Sequence, residues 1–185
     1  MFGLQTKKTR FATTNIALIG IFRALWVAPN LTVAPLGFAL THLPTIHSAI
    51  IFVTLLLMTW ATGQYGAASL VGTIGSVIVV LAGGPLPVLG FVPAALIFDL
   101  FLLLSHHRVN LKLVNVGIIV LASIICAYVA AVVNGFLILS LPPPPIFILT
   151  VWAGWNILGA IIGLAIVLPI IAALEKAAVR KVKAE

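Results

Sequence analysis

The sequence predicts an all-α integral membrane protein with six transmembrane helices and with both termini in the cytoplasm. Of its 185 residues, 63% are hydrophobic and only 7% are Asp, Glu, Lys or Arg, whereas about 25% are charged in an ordinary soluble domain. Six apolar stretches approach the ~20 residues that a helix needs to cross a bilayer. Basic residues flank these stretches on one predicted side only. These three observations together predict the fold class.

The scarcity of charge also excludes several classes of protein. The charged side chains are too few to cover the surface of a soluble domain of this size, which argues against a water-soluble enzyme, a nucleic-acid-binding protein and a disordered chain. The net charge of +7 therefore indicates membrane topology rather than a nucleic-acid partner. The single cysteine, Cys126, excludes an internal disulfide bond and a metal site built from several cysteines.

The six predicted spans are separated by polar clusters and by proline and glycine runs, which interrupt helices. They cover residues 12–31, 45–62, 67–81, 89–104, 113–139 and 146–174. A Gly-Gln-Tyr-Gly turn divides the second span from the third. Four consecutive prolines divide the fifth from the sixth, because proline cannot continue a helix. The spans form a single domain, residues 1–185, with basic tails at about 1–11 and 175–185.

The basic residues give the orientation of the spans. Nine of the ten Lys and Arg residues lie before the first span, between the fourth and fifth, or at the end of the sixth and beyond it. With six spans and a cytoplasmic N-terminus, all nine lie on the cytoplasmic side, as the positive-inside rule requires, and a five-span arrangement breaks this agreement. The three predicted outer loops, 29–44, 82–87 and 140–145, carry no Lys or Arg and are rich in proline or glycine. Such stiff loops suit a lid over a small ligand, or they simply connect the helices.

Two charged residues, Arg23 and Asp99, are predicted near the middle of the membrane. An unpaired charge at that depth costs at least ~2.5–3.5 kcal/mol. We therefore expect the two side chains to form an ion pair, or each to face a polar cavity or a ligand. Snorkelling or protonation is the remaining alternative.

Polar and aromatic residues toward the predicted outer side are the candidates for ligand binding. On one face of the sixth span, Trp152, Trp155 and Asn156 are spaced at i, i+3 and i+4. Aromatic walls with a few amides suit a flat, neutral ligand, although tryptophans at this depth also form interfacial belts. The full candidate set is His42, His47, Asn134, Trp152, Trp155 and Asn156, with Asp99 deeper. Two histidines without further ligands are too few for a metal site.

The sequence contains no pattern typical of catalysis. It has no phosphate-binding loop, no paired carboxylates, no Ser-His-Asp order and no HExxH motif. We therefore expect no enzymatic activity and no cofactor, and any ATP hydrolysis must come from partner subunits.

Small residues recur every four positions in the first span, at Gly20, Ala24 and Ala28. Such a stripe lets another helix approach closely through van der Waals contact. The approaching helix belongs either to a partner protein or to this chain. The same choice applies to the Gly159-x-x-x-Gly163 pattern in the sixth span.

Taken together, these features resemble the substrate-binding S component of an energy-coupling factor (ECF) transporter. The stretch from His42 to His47 and the stretch from Thr62 to Gly75 are similar to the second and third helices of that family. The ending from Trp155 to Gly163 before a basic tail is similar to its last helix. The resemblance covers nearly the whole chain.

The resemblance implies a multi-pass protein of the plasma membrane that binds a small organic micronutrient under its outer loops. It further implies that Gly20, Ala24 and Ala28 match the family's Ala-x-x-x-Ala element, with Gly in the first position. That element docks on a transmembrane coupling subunit, which acts with two ATPase subunits. The chain lacks the N-terminal histidine motif of the family's nickel and cobalt members, so metal transport is not expected.

Two other functions stay open from the sequence. A small membrane enzyme acting on a lipid or isoprenoid would need a catalytic cluster on the cytoplasmic side, where His106, His107 and Arg108 lie. A structural or regulatory subunit without a ligand would have a collapsed outer face.

Overall fold

The computed structural model describes residues 13–104, 109, 111–137 and 144–177. The described part of the chain is helical and contains no β-strand, which confirms the all-α class. Its helices are α1 (Thr13–Leu31), α2 (Val33–Thr41), α3 (Thr45–Thr62), α4 (Ala67–Leu81), α5 (Phe91–Leu103), α6 (Leu113–Leu137), α7 (Pro145–Phe147) and α8 (Ala153–Lys176). A 3-10 turn at Leu86–Gly90 precedes α5, and a π-helical segment at Ile148–Trp152 joins α7 to α8.

Among the described residues, five helical stretches are long and apolar enough to cross a membrane, which indicates a multi-pass membrane protein. They are Ile16–Thr41, Thr45–Thr62, Leu86–Leu103, Leu113–Phe136 and Pro145–Lys176. The remaining apolar helix, α4, has 15 residues and is therefore about 22 Å long at 1.5 Å per residue. That length is below the ~30 Å of the hydrocarbon layer.

The prediction of a loop over the whole of 29–44 is wrong, because residues 29–31 belong to α1 and Val33–Thr41 form α2. At the junction of α1 and α2, the Thr32 N–H donates to the Ala28 carbonyl at 3.1 Å, which keeps the helical bonding pattern. Pro29 lies inside α1. Pro35 lies in the first turn of α2, where a missing N–H costs little. The apolar face of α2 packs inward, and its Gly37 leaves room for Ile46 of α3.

Neighbouring helices contact each other through glycines. A Cβ on Gly163 of α8 would lie 2.7 Å from the Ala49 carbonyl oxygen of α3, and one on Gly75 of α4 would lie 2.7 Å from Cδ1 of Trp26 in α1. Gly159 likewise lies against the first turn of α3. The Gly159-x-x-x-Gly163 pattern is therefore used within the chain.

The contacts show that the helices alternate in direction. At one end, which we call the cavity end, the start of α3, the 3-10 turn, the last turns of α6 and the π-helical segment surround a common cavity. At the other end, which we call the turn end, Trp60 Nε1 near the end of α3 donates to Glu175 Oε1 near the end of α8 at 3.2 Å. The first turn of α4, at Ser69, contacts the second half of α5, at Asp99, at the turn end too.

Filling the α3–α8 interface should destabilise the protein strongly. We expect Gly163→Leu to lower the free energy of unfolding by about 1–3 kcal/mol, because the new side chain meets backbone atoms that cannot move aside. Gly154→Leu is the matched control, since nothing lies within 4 Å of a Cβ at Gly154 in the same helix. Equilibrium unfolding in mixed micelles measures both. Equal losses in the two variants would contradict the close packing of α3 on α8.

Candidate ligand-binding cavity

A cavity of about 320 Å³ lies at the cavity end, between α2, α3, α6 and the start of α8. This volume is at the lower end of the range for small-molecule sites, about 300–1,000 Å³. Its walls are formed by Ala34, Pro35, Phe38, Ala39, Pro44, His47, Pro85, Pro87, Asn134, Trp152 and Asn156. The four prolines hold the rim in fixed backbone conformations.

The cavity brings together four of the seven predicted binding residues. His47 comes from the first turn of α3, Asn134 from the last turns of α6, Trp152 from the π-helical segment and Asn156 from α8. Segments more than 80 residues apart in the sequence therefore meet at one place.

Three of these four residues keep a buried polar atom without a hydrogen-bond partner. The atoms are His47 Nε2, Asn134 Oδ1 and Trp152 Nε1. An unsatisfied buried polar group costs about 1–3 kcal/mol, and most such groups in folded proteins are paired. These atoms lie on residues that line the cavity, and a small side-chain rotation would let a ligand or bound water supply the missing partners.

Asn156 has a different role from the one predicted, because both ends of its amide are used within the protein. Its Oδ1 accepts a hydrogen bond from the Ser48 hydroxyl of α3 at 2.7 Å, and its Nδ2 donates to the Trp152 carbonyl at 3.0 Å. In the π-helical segment that ends at Trp152, the backbone carbonyls depart from the usual i→i−4 pairing. Asn156 therefore fixes the backbone that carries Trp152 rather than presenting a free amide.

Aromatic rings form part of the cavity wall and support it from behind. Phe38 of α2 lies edge-on to Trp152 with ring centroids 6.4 Å apart, a favourable geometry for aromatic pairs. The His47 ring lies 5.1 Å from Phe91, which in turn contacts Phe52 in the core at 6.4 Å. These contacts restrict how far the aromatic side chains can move.

His42 and Trp155 were predicted in the site but do not line the cavity. His42 ends α2 in a left-handed conformation with φ 56°, and its exposed ring contacts the edge of Phe38. Trp155 is 36% exposed and does not line the cavity, although it lies only three residues beyond Trp152. Among the described residues, no group of three or more His, Cys, Asp or Glu could hold a metal ion.

Asp99 was also predicted in the site, but it lies at the turn end. Its side chain is 1% exposed, and its Oδ2 accepts hydrogen bonds from the N–H of Ser69, at 2.7 Å, and from the Ser69 hydroxyl. Ser69 is in the first turn of α4, where backbone N–H groups have no partner within the helix. Asp99 of α5 therefore caps α4, and the helix dipole favours a negative charge there.

The expected ion pair between Arg23 and Asp99 is not formed. Within the described ranges no ion pair joins these two side chains, and the Arg23 Nε has no hydrogen-bond partner. Arg23 is half-buried on α1. The pairing hypothesis failed because similar depth in the membrane does not fix the direction in which a helix presents its side chains.

Sequence reasoning missed Phe38 and Ser48. The prolines around Phe38 indicated a loop. However, the i, i+1, i+4, i+5 spacing of one helical face is present at Ala34, Pro35, Phe38 and Ala39. That spacing could have indicated the cavity wall. No sequence signal distinguishes Ser48 from other serines in apolar helices, because its role depends on its distance from Asn156.

Comparison of the chain with protein-family models, with curated proteins and with solved structures gives no match. The interpretation of the cavity therefore depends on its own residues.

The small-residue stripe of α1 lies on the outside of the helix bundle. Gly20, Ala24 and Ala28 are exposed, and nothing lies within 4 Å of a Cβ at Gly20. Ala17 is exposed on the same face. Unlike Gly159 and Gly163, these residues are not used in packing among the described helices.

Proposed function

We propose that the protein is the membrane-embedded substrate-binding subunit of an ECF-type importer. It captures a small, vitamin-like organic micronutrient in the cavity from outside the cell. A transmembrane coupling subunit and two ATPase subunits drive the uptake. In this proposal the protein resides in the plasma membrane, crosses it six times and has both termini in the cytoplasm.

The observation that carries the proposal is the cavity with its unpartnered polar groups. Four residues selected from sequence as ligand contacts line one space, and three of them keep a polar atom without a partner. A ligand-free structural subunit would be expected to close this face. A membrane enzyme would use His106, His107 and Arg108, and all three lie outside the described residues.

The charge distribution supports a cavity that opens to the outside. Lys112 directly precedes α6, whose far end carries the cavity residue Asn134, and Lys176 ends α8, whose start follows Trp152. Both basic residues therefore lie at the end of the bundle away from the cavity. By the positive-inside rule that end is cytoplasmic.

A sixth crossing is completed by α4 in this proposal. Its first turn contacts Asp99 at the turn end, and its Ser76 hydroxyl donates to the Val88 carbonyl of the 3-10 turn at 3.2 Å. The helix thus extends from the turn end toward the cavity end. The segments that flank it complete the distance across the bilayer.

A direct test is native mass spectrometry of the purified full-length protein, combined with a thermal-shift screen of water-soluble vitamins and their precursors. We expect a co-purified small molecule, or at least one compound that raises the unfolding temperature. ATP-dependent uptake of that compound into vesicles should require the coupling subunit and both ATPases. A protein that is consistently empty and binds nothing in the screen would refute the proposal.

The stripe on α1 supports docking of the coupling subunit, and this part can be tested separately. We expect Gly20→Leu to abolish co-purification with the coupling subunit and to abolish uptake, because a leucine prevents the close approach of two helices. Ligand binding by the isolated protein should stay unchanged. Gly117→Leu is the control, since nothing lies within 4 Å of a Cβ at Gly117 either. Intact assembly in the Gly20 variant would exclude the stripe as the docking surface.

A further inference from the structure

The walls of the cavity carry no acidic or basic side chain other than His47. None of its lining residues is Asp, Glu, Lys or Arg. Residues 138–143, which join α6 to Pro144, contain no ionisable side chain in the sequence either. A charged ligand would lose its hydration in such a cavity without gaining a counter-charge. The cavity therefore selects against anions, including phosphorylated compounds.

The shape and stiffness of the cavity favour a flat ligand. Phe38 and Trp152 supply aromatic surface on one side, and His47 is held against Phe91 on another. Pro85 and Pro87 close the rim with rigid backbone. A planar ring can stack against such surfaces without ordering flexible groups of its own.

The unpartnered polar atoms require a ligand with both donors and acceptors. The indole N–H of Trp152 donates, the Asn134 Oδ1 accepts, and a neutral imidazole does either according to its tautomer. A hydrocarbon such as a lipid chain would leave all three unsatisfied. A ring nitrogen with an adjacent amino, hydroxymethyl or carboxamide group would satisfy them.

Building on the proposed function, we propose that the ligand is a neutral, planar nitrogen heteroaromatic of one or two rings with donor and acceptor substituents. Trp152 contacts one of its faces, and Phe38, whose ring is nearly perpendicular to that of Trp152, contacts its edge. Asn134 forms hydrogen bonds with the polar edge of the ligand, and His47 forms a further hydrogen bond with it. Ser48 is a positioning residue, since it acts on the ligand only through Asn156 and the Trp152 backbone.

The test is a thermal-shift and calorimetry screen on the full-length protein with matched pairs of probes. Each neutral heteroaromatic is paired with a charged analogue that differs at one group, such as nicotinamide with nicotinate or a hydroxymethylpyrimidine with its phosphate. Benzamide tests the need for the ring nitrogen. We expect every stabilising compound to be the neutral heteroaromatic member of its pair, with an affinity at least tenfold higher than that of its partner.

Binding should also depend on Asn134. We expect Asn134→Leu to weaken the best neutral probe at least tenfold, and Asn134→Ser serves the same purpose should the leucine variant fold poorly. Asn30→Leu is a matched control, because Asn30 is also a buried asparagine with an unpartnered Oδ1 but does not line the cavity. Its affinity should stay within twofold of the parent protein.

The outcomes separate this inference from the proposed function. If a charged or an aliphatic compound binds most tightly, the proposed ligand class is overturned, but the proposal that the protein is the substrate-binding subunit of an importer is not. Equal loss of affinity in the Asn134 and Asn30 variants overturns the assignment of the polar edge. The absence of any bound or binding compound overturns both proposals.

Discussion

Replacing Trp152 by alanine is expected to weaken ligand binding at least about 30-fold. Trp152 lines the cavity, contacts Phe38 and carries an unpartnered N–H. Loss of a buried tryptophan at the centre of a binding site typically costs 2 kcal/mol or more, and each 1.4 kcal/mol corresponds to a factor of ten in affinity. Calorimetry with the ligand that co-purifies with the parent protein, or with the best compound of the screen, measures this change.

The chain offers a matched control for this substitution at Trp155. Trp155 is three residues away in the same helical run and is 36% exposed outside the cavity, so Trp155→Ala should change the affinity less than twofold. Trp152→Phe keeps a ring and removes only the N–H, and we expect an intermediate loss. Equal losses at Trp152 and Trp155 would show that ligand does not bind in the cavity.

Sequence brought three candidate residues to the same end of the helix bundle, and their role in binding stays a prediction. His47, Asn134 and Trp152 were selected because each is polar or amphipathic and lies near the predicted outer end of a span. Alternating helices necessarily bring such ends together, so hydropathy and charge were sufficient. The predicted second and third spans coincide with α3 and α4. The turn between them is marked by Gly63 and Gly66, both with positive φ, which glycine adopts without strain.

The prediction failed on two points. It did not show toward which side a helix directs a given side chain, and it did not show where tertiary packing stabilises a helix that contains proline. Trp155 differs from Trp152 only in the face it occupies. Both lie in one helical run, and the i, i+3 spacing does not show which of the two rings faces the cavity. Helix α2 forms inside the predicted loop although prolines disfavour it, and its buried Gly37 packs against Ile46 of α3. Asp99 was placed beside Arg23 by depth alone, yet its actual partner, Ser69, belongs to a different helix from the one expected.

Replacing Asp99 by alanine is expected to lower the free energy of unfolding by about 2–3 kcal/mol and to leave ligand affinity unchanged. The substitution removes the acceptor for the Ser69 N–H and hydroxyl in the buried first turn of α4. Loss of a helix cap costs about 0.5–2 kcal/mol, and an unsatisfied buried donor adds about 1–3 kcal/mol. Equilibrium unfolding in mixed micelles measures the loss. Asp99→Asn keeps an acceptor oxygen and should lose less than half as much.

Double-mutant cycles distinguish the cap from the ion pair that sequence alone suggested. Ser69→Ala and Asp99→Ala should be coupled by at least about 0.5 kcal/mol, because they remove two ends of one interaction. Arg23→Met and Asp99→Ala should be additive within about 0.5 kcal/mol, since these side chains form no pair in the described structure. Coupling between Arg23 and Asp99 above 1 kcal/mol would mean that the pair forms in the membrane. If Asp99→Ala abolished ligand binding without loss of stability, its carboxylate would be a ligand contact, and the separation between the turn end and the cavity end would be wrong.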